Sequence, residues 1–342
     1  MKRNKKILIT GGCGFVGSNL IPLLIENSYD VVIVDNLSQS VYDKNLHGNA
    51  KFHLADIRDA NIMNKIFMNE KPDVVFHLAG LVSIYDCHND TLSAAHNNII
   101  GSINVFNAAL ACGCDRVIFS ETSAVYENVD LPDGGYTEDT SDPTTFYATT
   151  KAAVALIADS YARTRGLKYT ALRYFNIAGP VQDYKRTVPP LFAGVALRLL
   201  GGRNPIIFGD GNRSRDFIHV DDVNAFHLLC LNDDRTIGQT FNLGSGMSYS
   251  LFRISEFIFE YLRVNNDLEL PLLEYDFYPE INGEAHTIYA NIDKAKSLGW
   301  KPMKTMFDAI VDTIKYLEKE IELNNVKPSE FMVNLNTDTI KI

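Results

Sequence analysis

Short apolar runs recur along the first half of the chain, each followed by a longer stretch with helical spacing. "KILIT", "VVIVD", "KFHLAD", "DVVFHLA", "RVIFS" and "YTALRYF" are apolar with little alternation, as expected of strands buried on both faces. Between them, residues 15–27, 59–70, 91–112 and 146–165 read as helices. Alternation of this kind predicts a parallel sheet covered by helices on both faces, with right-handed crossovers. The rhythm changes after Pro180. Residues 181–215 are rich in Pro and Gly, and "DFIHVDDVNAFHLLCL" then resumes a strand–turn–helix pattern. "GQTFNLGSG" reads as one more strand with a turn, and 251–263 and 304–323 read as amphipathic helices. The stretch 325–342 is Asn-rich with weak periodicity and reads as a strap or a loose tail.

The expected fold class is α/β, a doubly wound parallel sheet with a smaller C-terminal domain. Residues 1–180 should form the first domain, with 216–246 returning to it. Residues 181–215 and 247–330 should form the second, and 331–342 a tail. A chain of 342 residues is long enough for this division.

Composition narrows the function. Hydrophobic residues make up 46% of the chain, enough for a full core, so disorder is not the default. The net charge of −10 argues against nucleic-acid or acidic-membrane partners. An anionic ligand would need local positive groups. Cys13, Cys87, Cys112, Cys114 and Cys230 are scattered without a Cys-x-x-Cys pair, which fits free thiols in a reducing compartment. Cys112 and Cys114 lack the neighbours a zinc site needs, so no metal is expected. The apolar run Ile7–Ile9 after "MKRNKK" is too short for a signal peptide, and no apolar run is long enough to span a membrane. A cytosolic protein is expected.

The first strand runs into "TGGCGFVGSNL", which holds Gly12-x-Gly14-x-x-Gly17, also readable as Gly11-x-x-Gly14-x-x-Gly17. With a strand before and a helix after, this is the dinucleotide-binding context of a Rossmann fold. The glycines allow a tight turn, close approach of backbone to a pyrophosphate, and close helix–strand packing. The helix start at Phe15 and Val16 offers N–H groups to the phosphates. Asp35, 18 residues beyond Gly17, ends the second strand and suits a ribose with a free 2′-hydroxyl. Asn36 to Ser40 contain no arginine, so NAD is favoured over NADP. Asp56, with Ile57 after it, can accept from an adenine amino group or cap the following helix.

A second candidate lies in "TTFYATTKAAVALI". Tyr147 and Lys151 are four apart at the start of a helix, so they share one face. Alone, the pair reads more readily as a packed tyrosine beside a solvated lysine than as a reactive site.

"TGGCGFVG", "VDN", "ADI", "FHLAG", "FSETSAVY", "FYATTK", "LRYFNIAGP" and "RDFIHVDDV" occur in the order found in the extended short-chain dehydrogenase/reductases. Over roughly residues 5–303 the chain resembles the NAD-dependent sugar-nucleotide epimerases and dehydratases, above all the UDP-glucose and UDP-N-acetylglucosamine 4-epimerases. The resemblance implies that Tyr147 is the catalytic phenol and Lys151 its helper, and that Lys151 also holds the nicotinamide ribose. A free phenol has a pKa of about 10, and lowering it by roughly three units takes about 4 kcal/mol of preference for phenolate. A nearby ammonium and an oxidised nicotinamide can supply it in a poorly solvated site. Thr122 matches the family's catalytic Ser/Thr, with Ser123 as a helper. Leu78, Ala79, Gly80, Asn98 and Phe175 should line the cofactor pocket. Asn176 and Arg215 match the substrate diphosphate clamp, where a guanidinium suits phosphate.

The resemblance also discriminates reactions. Related 4,6-dehydratases carry Asp-Glu after the catalytic Thr, and related decarboxylases usually carry Ser-Glu. Here the pair is Ser123-Ala124, and Ala124 transfers no proton. Oxidation and re-reduction at one sugar carbon remains: a 4-epimerase working through a transient 4-keto sugar, without net use of NAD. A 4-dehydrogenase or 4-keto reductase is the alternative, a 4,6-dehydratase a weaker one, and a cofactor-binding scaffold with idle residues a third class. Departures from the family pattern are Glu127 for a glycine, Ile281 for a phosphate-binding arginine, and Glu284 for an aspartate. His286 or Arg186 are candidate substitutes for that arginine. Ile288 stands where a tyrosine narrows the sugar pocket in some relatives, which leaves room for an N-acetyl group. The helices over 91–112 and 146–165 form the dimer interface in the family, so a homodimer is expected.

Overall fold

The structure, a computed structural model, describes residues 4–40, 47–185, 189–266, 272–279 and 286–324. Its main element is a seven-stranded sheet, all parallel. In spatial order its strands are Lys51–Leu54, Asp30–Asp35, Lys6–Thr10, Val74–His77, Arg116–Thr122, Tyr169–Tyr174 and Gln239–Leu243. The first six are the six apolar runs read from the sequence, and the α/β expectation is met. The chain reverses direction across the sheet between Lys6–Thr10 and Val74–His77, which opens a crevice at the carboxyl ends of these two strands.

The near-continuous apolar character of the strands has a simple cause: both faces are covered. Successive side chains alternate between two layers. Ile7, Ile9, Ile33, Phe76 and Ile118 pack with the helices Phe15–Glu26 and Val220–Asn232. Leu8, Val32, Val34, Val75 and Val117 pack on the other side with the helices Ala60–Glu70, Gly101–Cys112 and Phe146–Arg165. Ile7, Leu8 and Ile9 are wholly inaccessible to solvent. A Leu→Ala change at such a position costs about 2–5 kcal/mol.

One helix differs from its expected form. The spacing predicts a single helix over 91–112. The structure divides it into Thr91–Ala95, a π-helical turn His96–Ile100, and Gly101–Cys112. The wide turn brings Asn98 inward, where its Oδ1 accepts from Leu81 N at 2.8 Å and its Nδ2 donates to Leu81 O at 3.0 Å and Thr150 Oγ1 at 2.9 Å. Gly101 follows because the backbone here lies against Ile57: a Cβ on Gly101 would sit 2.5 Å from the Ile57 side chain. Such π turns recur at functional sites.

A second sheet lies beyond the carboxyl end of the first. Its central strand Ser214–His219 pairs with Asn176–Ala178, Ser248–Ser250 and Thr287–Ile288. Helices Leu191–Leu200, Leu251–Asn265 and Met306–Asn324 share a third apolar core behind it. The buried Asp216 joins three segments here. Its carboxylate accepts from Ser245 N at 2.7 Å, Ser245 Oγ at 2.6 Å, Gly246 N at 2.9 Å and Ala290 N at 3.0 Å. Burial nevertheless pushes its pKa up to about 6. Among the described residues, no helix is long and apolar enough to cross a membrane.

Candidate active site

The glycine loop is shaped by close approach. Gly11 has a φ of +69°, and a Cβ on it would lie 2.6 Å from Ala79 N. Gly14 N donates to Gly11 O at 3.1 Å, closing the turn, and Gly14 is the N-cap of the helix Phe15–Glu26. No side chain caps that helix start, so the N–H groups at Phe15 and Val16 face the loop without a competing side-chain acceptor. A Cβ on Gly17 would meet Gly12 O at 2.6 Å, which is the close helix–strand packing expected.

Beside the loop runs an open groove. Gly11, Gly14, Asp35, Asn36, Ile57, Leu78, Ala79 and Gly80, all singled out from the sequence, line it. Ser38, Gln39, Ser40, Leu81 and Asn97 line it too, and sequence reasoning misses them. Leu81 extends the Leu78–Gly80 run and is within reach of that motif. The serines and the asparagine carry no signal.

Asp35 is buried at the floor of one end. Its Oδ2 accepts from Cys13 N at 2.9 Å and its Oδ1 from Leu37 N at 2.8 Å. One carboxylate thus ties the glycine loop to the turn after the second strand. Asp56 sits next to it through Asn36, whose Nδ2 donates to Asp56 Oδ2 at 3.0 Å. Asp56 does not cap the following helix; Asp59 does, accepting from Asn61 N and Ile62 N. Asp56 instead takes Arg58 in a two-pronged pair, at 2.9 Å and 2.7 Å. The Arg58 guanidinium holds the Asp56 carboxyl down at about 2. Arg58 is a cation that scanning residues 36–40 alone could not find.

The other end of the groove, at Gly80, lies near a buried cation. Lys151, on the helix Phe146–Arg165, is 6% exposed. Its Nζ donates to Ser120 O at 2.9 Å and Ser120 Oγ at 3.1 Å, at the carboxyl end of the Arg116–Thr122 strand. It lies 3.6 Å from the point a Cβ on Gly80 would occupy, and Asn98 Oδ1 lies 3.2 Å from it. Lys151 and Asn98 therefore stand directly behind the groove wall at Gly80. Burial draws the ammonium down to about 8, against the pull of buried Glu121. Under it, His77 bridges Thr10 Oγ1 at 2.7 Å and Ser102 Oγ at 2.8 Å. Burial, with Lys151 nearby, lowers His77 to about 3, so it is a neutral structural link.

Tyr147 is half-buried one helical turn before Lys151. Its carbonyl accepts from Thr150 Oγ1 at 2.7 Å, and Thr150 in turn receives the Asn98 amide, so the π turn and the helix start are joined. Thr122 ends its strand and accepts from Ala124 N at 3.2 Å; Ser123 opens the 3-10 turn Ser123–Tyr126 beside it. Thr122 and Ser123 are both 8% exposed.

The remaining predicted residues lie farther along. Phe175 is a core residue, its ring 6.0 Å from that of Tyr126. Asn176 begins the neighbouring strand of the second sheet, and its Nδ2 donates to Asp216 O at 3.1 Å. Arg215 lies on the adjacent strand, with a guanidinium nitrogen donating to Ser214 O at 3.0 Å and His286 O at 3.3 Å. Asn176 and the Arg215–Asp216 segment are thus neighbours. Ile288 pairs in register with Arg215 and is buried. Arg186, Ile281 and Glu284 lie outside the described residues.

Comparison with known proteins decides the family. Residues 7–244 match the model of the NAD dependent epimerase/dehydratase family. The chain belongs to that family. It is 31% identical over 327 residues to a UDP-glucose 4-epimerase of Lacticaseibacillus casei, covering 90% of this chain and 95% of that one. The UDP-glucose 4-epimerase of Thermotoga maritima, solved with UDP-glucose, is similar at a TM-score of 0.85 and 32% identity, covering 92% of this chain and 99% of that one. A UDP-N-acetylglucosamine 4-epimerase of Methanobrevibacter ruminantium, solved with UDP-N-acetylmuramic acid, superposes at 0.83 with 31% identity, over 93% and 99% of the two chains. Membership brings NAD as the cofactor. The cradle fits it: Gly11 and Gly14 line the groove beside a helix start that no side chain caps, and Asp35 lines the groove with a carboxylate.

Proposed function

We propose that this enzyme is a sugar-nucleotide 4-epimerase acting on a UDP-hexose or UDP-N-acetylhexosamine through a transient 4-keto sugar. The observation that carries the reading is the placement of Lys151. A buried ammonium stands behind the groove wall at Gly80 and one helical turn from Tyr147. In that setting Tyr147 is the acid/base, taking the proton of the C4 hydroxyl and later returning it. Lys151 favours the phenolate and holds ribose hydroxyls. Thr122, with Ser123 beside it, bonds the same sugar oxygen and relays the proton. Bound NAD supplies a hydride acceptor and donor at C4. Asp35 accepts from the adenosine ribose, and Asn36, Asp56 and Ile57 complete that end. Asn176 and Arg215 hold the diphosphate.

Ala124 supports epimerisation over loss of water, because no acid or base follows Thr122 and Ser123 at that position, and Glu121 before them is taken up by Arg173. Ile288 supports a pocket open to both sugar classes. The same reading includes a division of labour: residues 1–180 with 216–246 hold the cofactor, and 181–215 with 247–330 hold the substrate. It also includes a homodimer formed on the Thr91–Cys112 and Phe146–Arg165 faces. Leu92 is 69% exposed and Leu156 73% exposed there, and large apolar side chains left open on such faces favour a partner. Sedimentation of the protein and of Leu156→Glu tests that point, the variant being expected as a monomer.

The central test is direct. The purified protein is incubated with UDP-hexoses and UDP-N-acetylhexosamines, and C4 inversion is followed by NMR. Inversion without cofactor consumption is expected. Consumption of added NAD in step with product would make it a dehydrogenase instead. Tyr147→Phe is expected to keep NAD and lose turnover; turnover that survives would remove the acid/base role.

A further inference from the structure

The position after Tyr126 holds Glu127, where the family pattern has glycine. The structure gives this departure a definite set of partners. Glu127 Oε2 accepts from Thr144 N at 3.0 Å and Thr145 N at 2.7 Å, while Oε1 accepts from Thr145 Oγ1 at 3.0 Å. Thr145 is the N-cap of the helix Phe146–Arg165, its hydroxyl accepting from Ala148 N at 3.3 Å. Tyr147 is the second residue of that helix. Glu127 itself follows the short 3-10 turn that starts one residue after Thr122.

A second rung runs parallel to the first. Asp142 N donates to Val125 O at 2.7 Å, Asn128 N donates to Asp142 O at 3.2 Å, and Asn128 Nδ2 donates to Asp142 Oδ2 at 2.6 Å. The segment after Thr122 and the segment before Tyr147 are thus stitched together. Glu127 holds the end nearer the helix. The loop between them, 129–141, has no helix and only a single β-bridge, Tyr136 to Ala290, which anchors its middle and not the two ends that meet at Glu127.

We propose that Glu127 is a positioning residue that sets Tyr147 against Thr122, so that the phenol and the threonine hydroxyl meet one sugar oxygen. The proposal rests on the acid/base roles given to Tyr147 and Thr122 above. Its physical basis is twofold. Three hydrogen bonds to a carboxylate fix the first turn of the helix, and a misplacement of about 1 Å in a reacting group costs on the order of 100-fold in rate. A carboxylate at a helix start is also favoured by the helix dipole, so the clamp is stable when charged.

Three variants test it, with Tyr147→Phe measured alongside. Glu127→Ala removes all three bonds, and kcat is expected to fall about tenfold or more with KM changed less than about twofold. Glu127→Gln keeps a carbonyl oxygen for the two backbone N–H groups, and should restore kcat to within about threefold of the parent. Its pH profile should move as well: a negative charge at the start of the Tyr147 helix opposes phenolate, so its loss shifts the acid limb of kcat to lower pH. Glu127→Gly, the residue of the family pattern, repeats the alanine test should that variant fold poorly. A merely structural role would lower thermal stability while the folded protein keeps the parent's kcat. Parental kcat in Glu127→Ala or Glu127→Gly, or equal loss in the alanine and glutamine variants, overturns the proposal. If Tyr147→Phe is inactive while Glu127→Ala behaves as the parent, the epimerase reading stands and the clamp alone fails. If Tyr147→Phe turns over normally, the underlying reading fails and takes the clamp with it.

Discussion

Lys151 Nζ is bound to Ser120 twice, through its carbonyl oxygen at 2.9 Å and its hydroxyl at 3.1 Å. Both acceptors are neutral, so they orient the ammonium without cancelling its charge. The charge stays available to a phenolate and to ribose hydroxyls. It is also costly, because a buried ammonium loses its hydration.

That cost has a testable sign. Burial lowers the folded-state pKa of Lys151 from 10.5 to about 8. Between these values the unfolded chain holds more protons than the folded one, so stability rises with pH across the window. Activity that needs the ammonium moves the other way and falls as pH passes about 8. Lys151→Met should remove both dependences, raise the melting temperature near neutral pH by a few degrees, and lower kcat roughly 100-fold or more. Melting curves and kcat across neutral and alkaline pH measure it. A variant that melts lower than the parent at neutral pH would contradict the argument.

Gly11 offers a second test. Its φ of +69° and the 2.6 Å that would separate an added methyl from Ala79 N allow no L side chain without movement. Gly11→Ala combines left-handed strain with overpacking, roughly 2–4 kcal/mol in all. Because Gly11 N also donates to Val34 O at 2.8 Å, the shift should spread to the second strand. Lower thermal stability and little or no NAD in the purified protein are expected. A Gly11→Ala protein with parental melting and full NAD would show that the loop is looser than its geometry implies.

Asp35 carries a third. Both of its oxygens already hold backbone N–H groups, of Cys13 and Leu37. Removing the carboxylate therefore loosens the glycine loop as well as the ribose site. Asp35→Ala should weaken NAD by about tenfold to a hundredfold, the scale of one charged hydrogen bond. Affinity for NADP should fall much less, since the group that repels a 2′-phosphate is gone. Titrations of both nucleotides into cofactor-free protein decide it; unchanged NAD affinity would remove Asp35 from the site.

The sequence is most readable where one cause acts on a short stretch. Five of the six strands are legible because they are buried on both faces and so have few polar interruptions; Lys51–Leu54, at the sheet edge, is partly exposed. The glycine loop is legible because steric demands at Gly11 and Gly17 leave one residue type. What escapes depends on partners distant in the chain. The π turn at His96–Ile100 exists in a stretch that reads as one helix, and its reason is Asn98 meeting Leu81 and Thr150. The hold of Glu127 on Thr144 and Thr145 spans a loop without periodicity. The central strand of the second sheet shows in "DFIH", but its partners, of two or three residues, are too short to carry a pattern. Arg58 gives no signal of its own because its role is set by Asp56.

A last prediction concerns a buried pair next to the site. Glu121 precedes Thr122 on its strand, and Arg173 stands opposite it in register on the Tyr169–Tyr174 strand. Their side chains are 2% and 7% exposed and joined at both guanidinium nitrogens facing the carboxylate. Arg173 also donates to Tyr126 Oη at 2.6 Å, and Tyr126 donates to Asn242 Oδ1 at 2.8 Å, so three strands or turns meet at one charge pair. Removing either partner alone leaves an uncompensated buried charge, about 3–5 kcal/mol. Glu121→Gln and Arg173→Met should each lower stability by that order in denaturant titration. The double variant Glu121→Gln/Arg173→Met should recover much of the loss, because no charge is then left unpaired. The catalytic consequence follows from Lys151, whose charge Glu121 helps to keep. Without that carboxylate the lysine loses its proton more easily, so the fall of kcat with rising pH should begin lower in the double variant than in the parent. Equal pH profiles in the two proteins would confine the pair to a structural role.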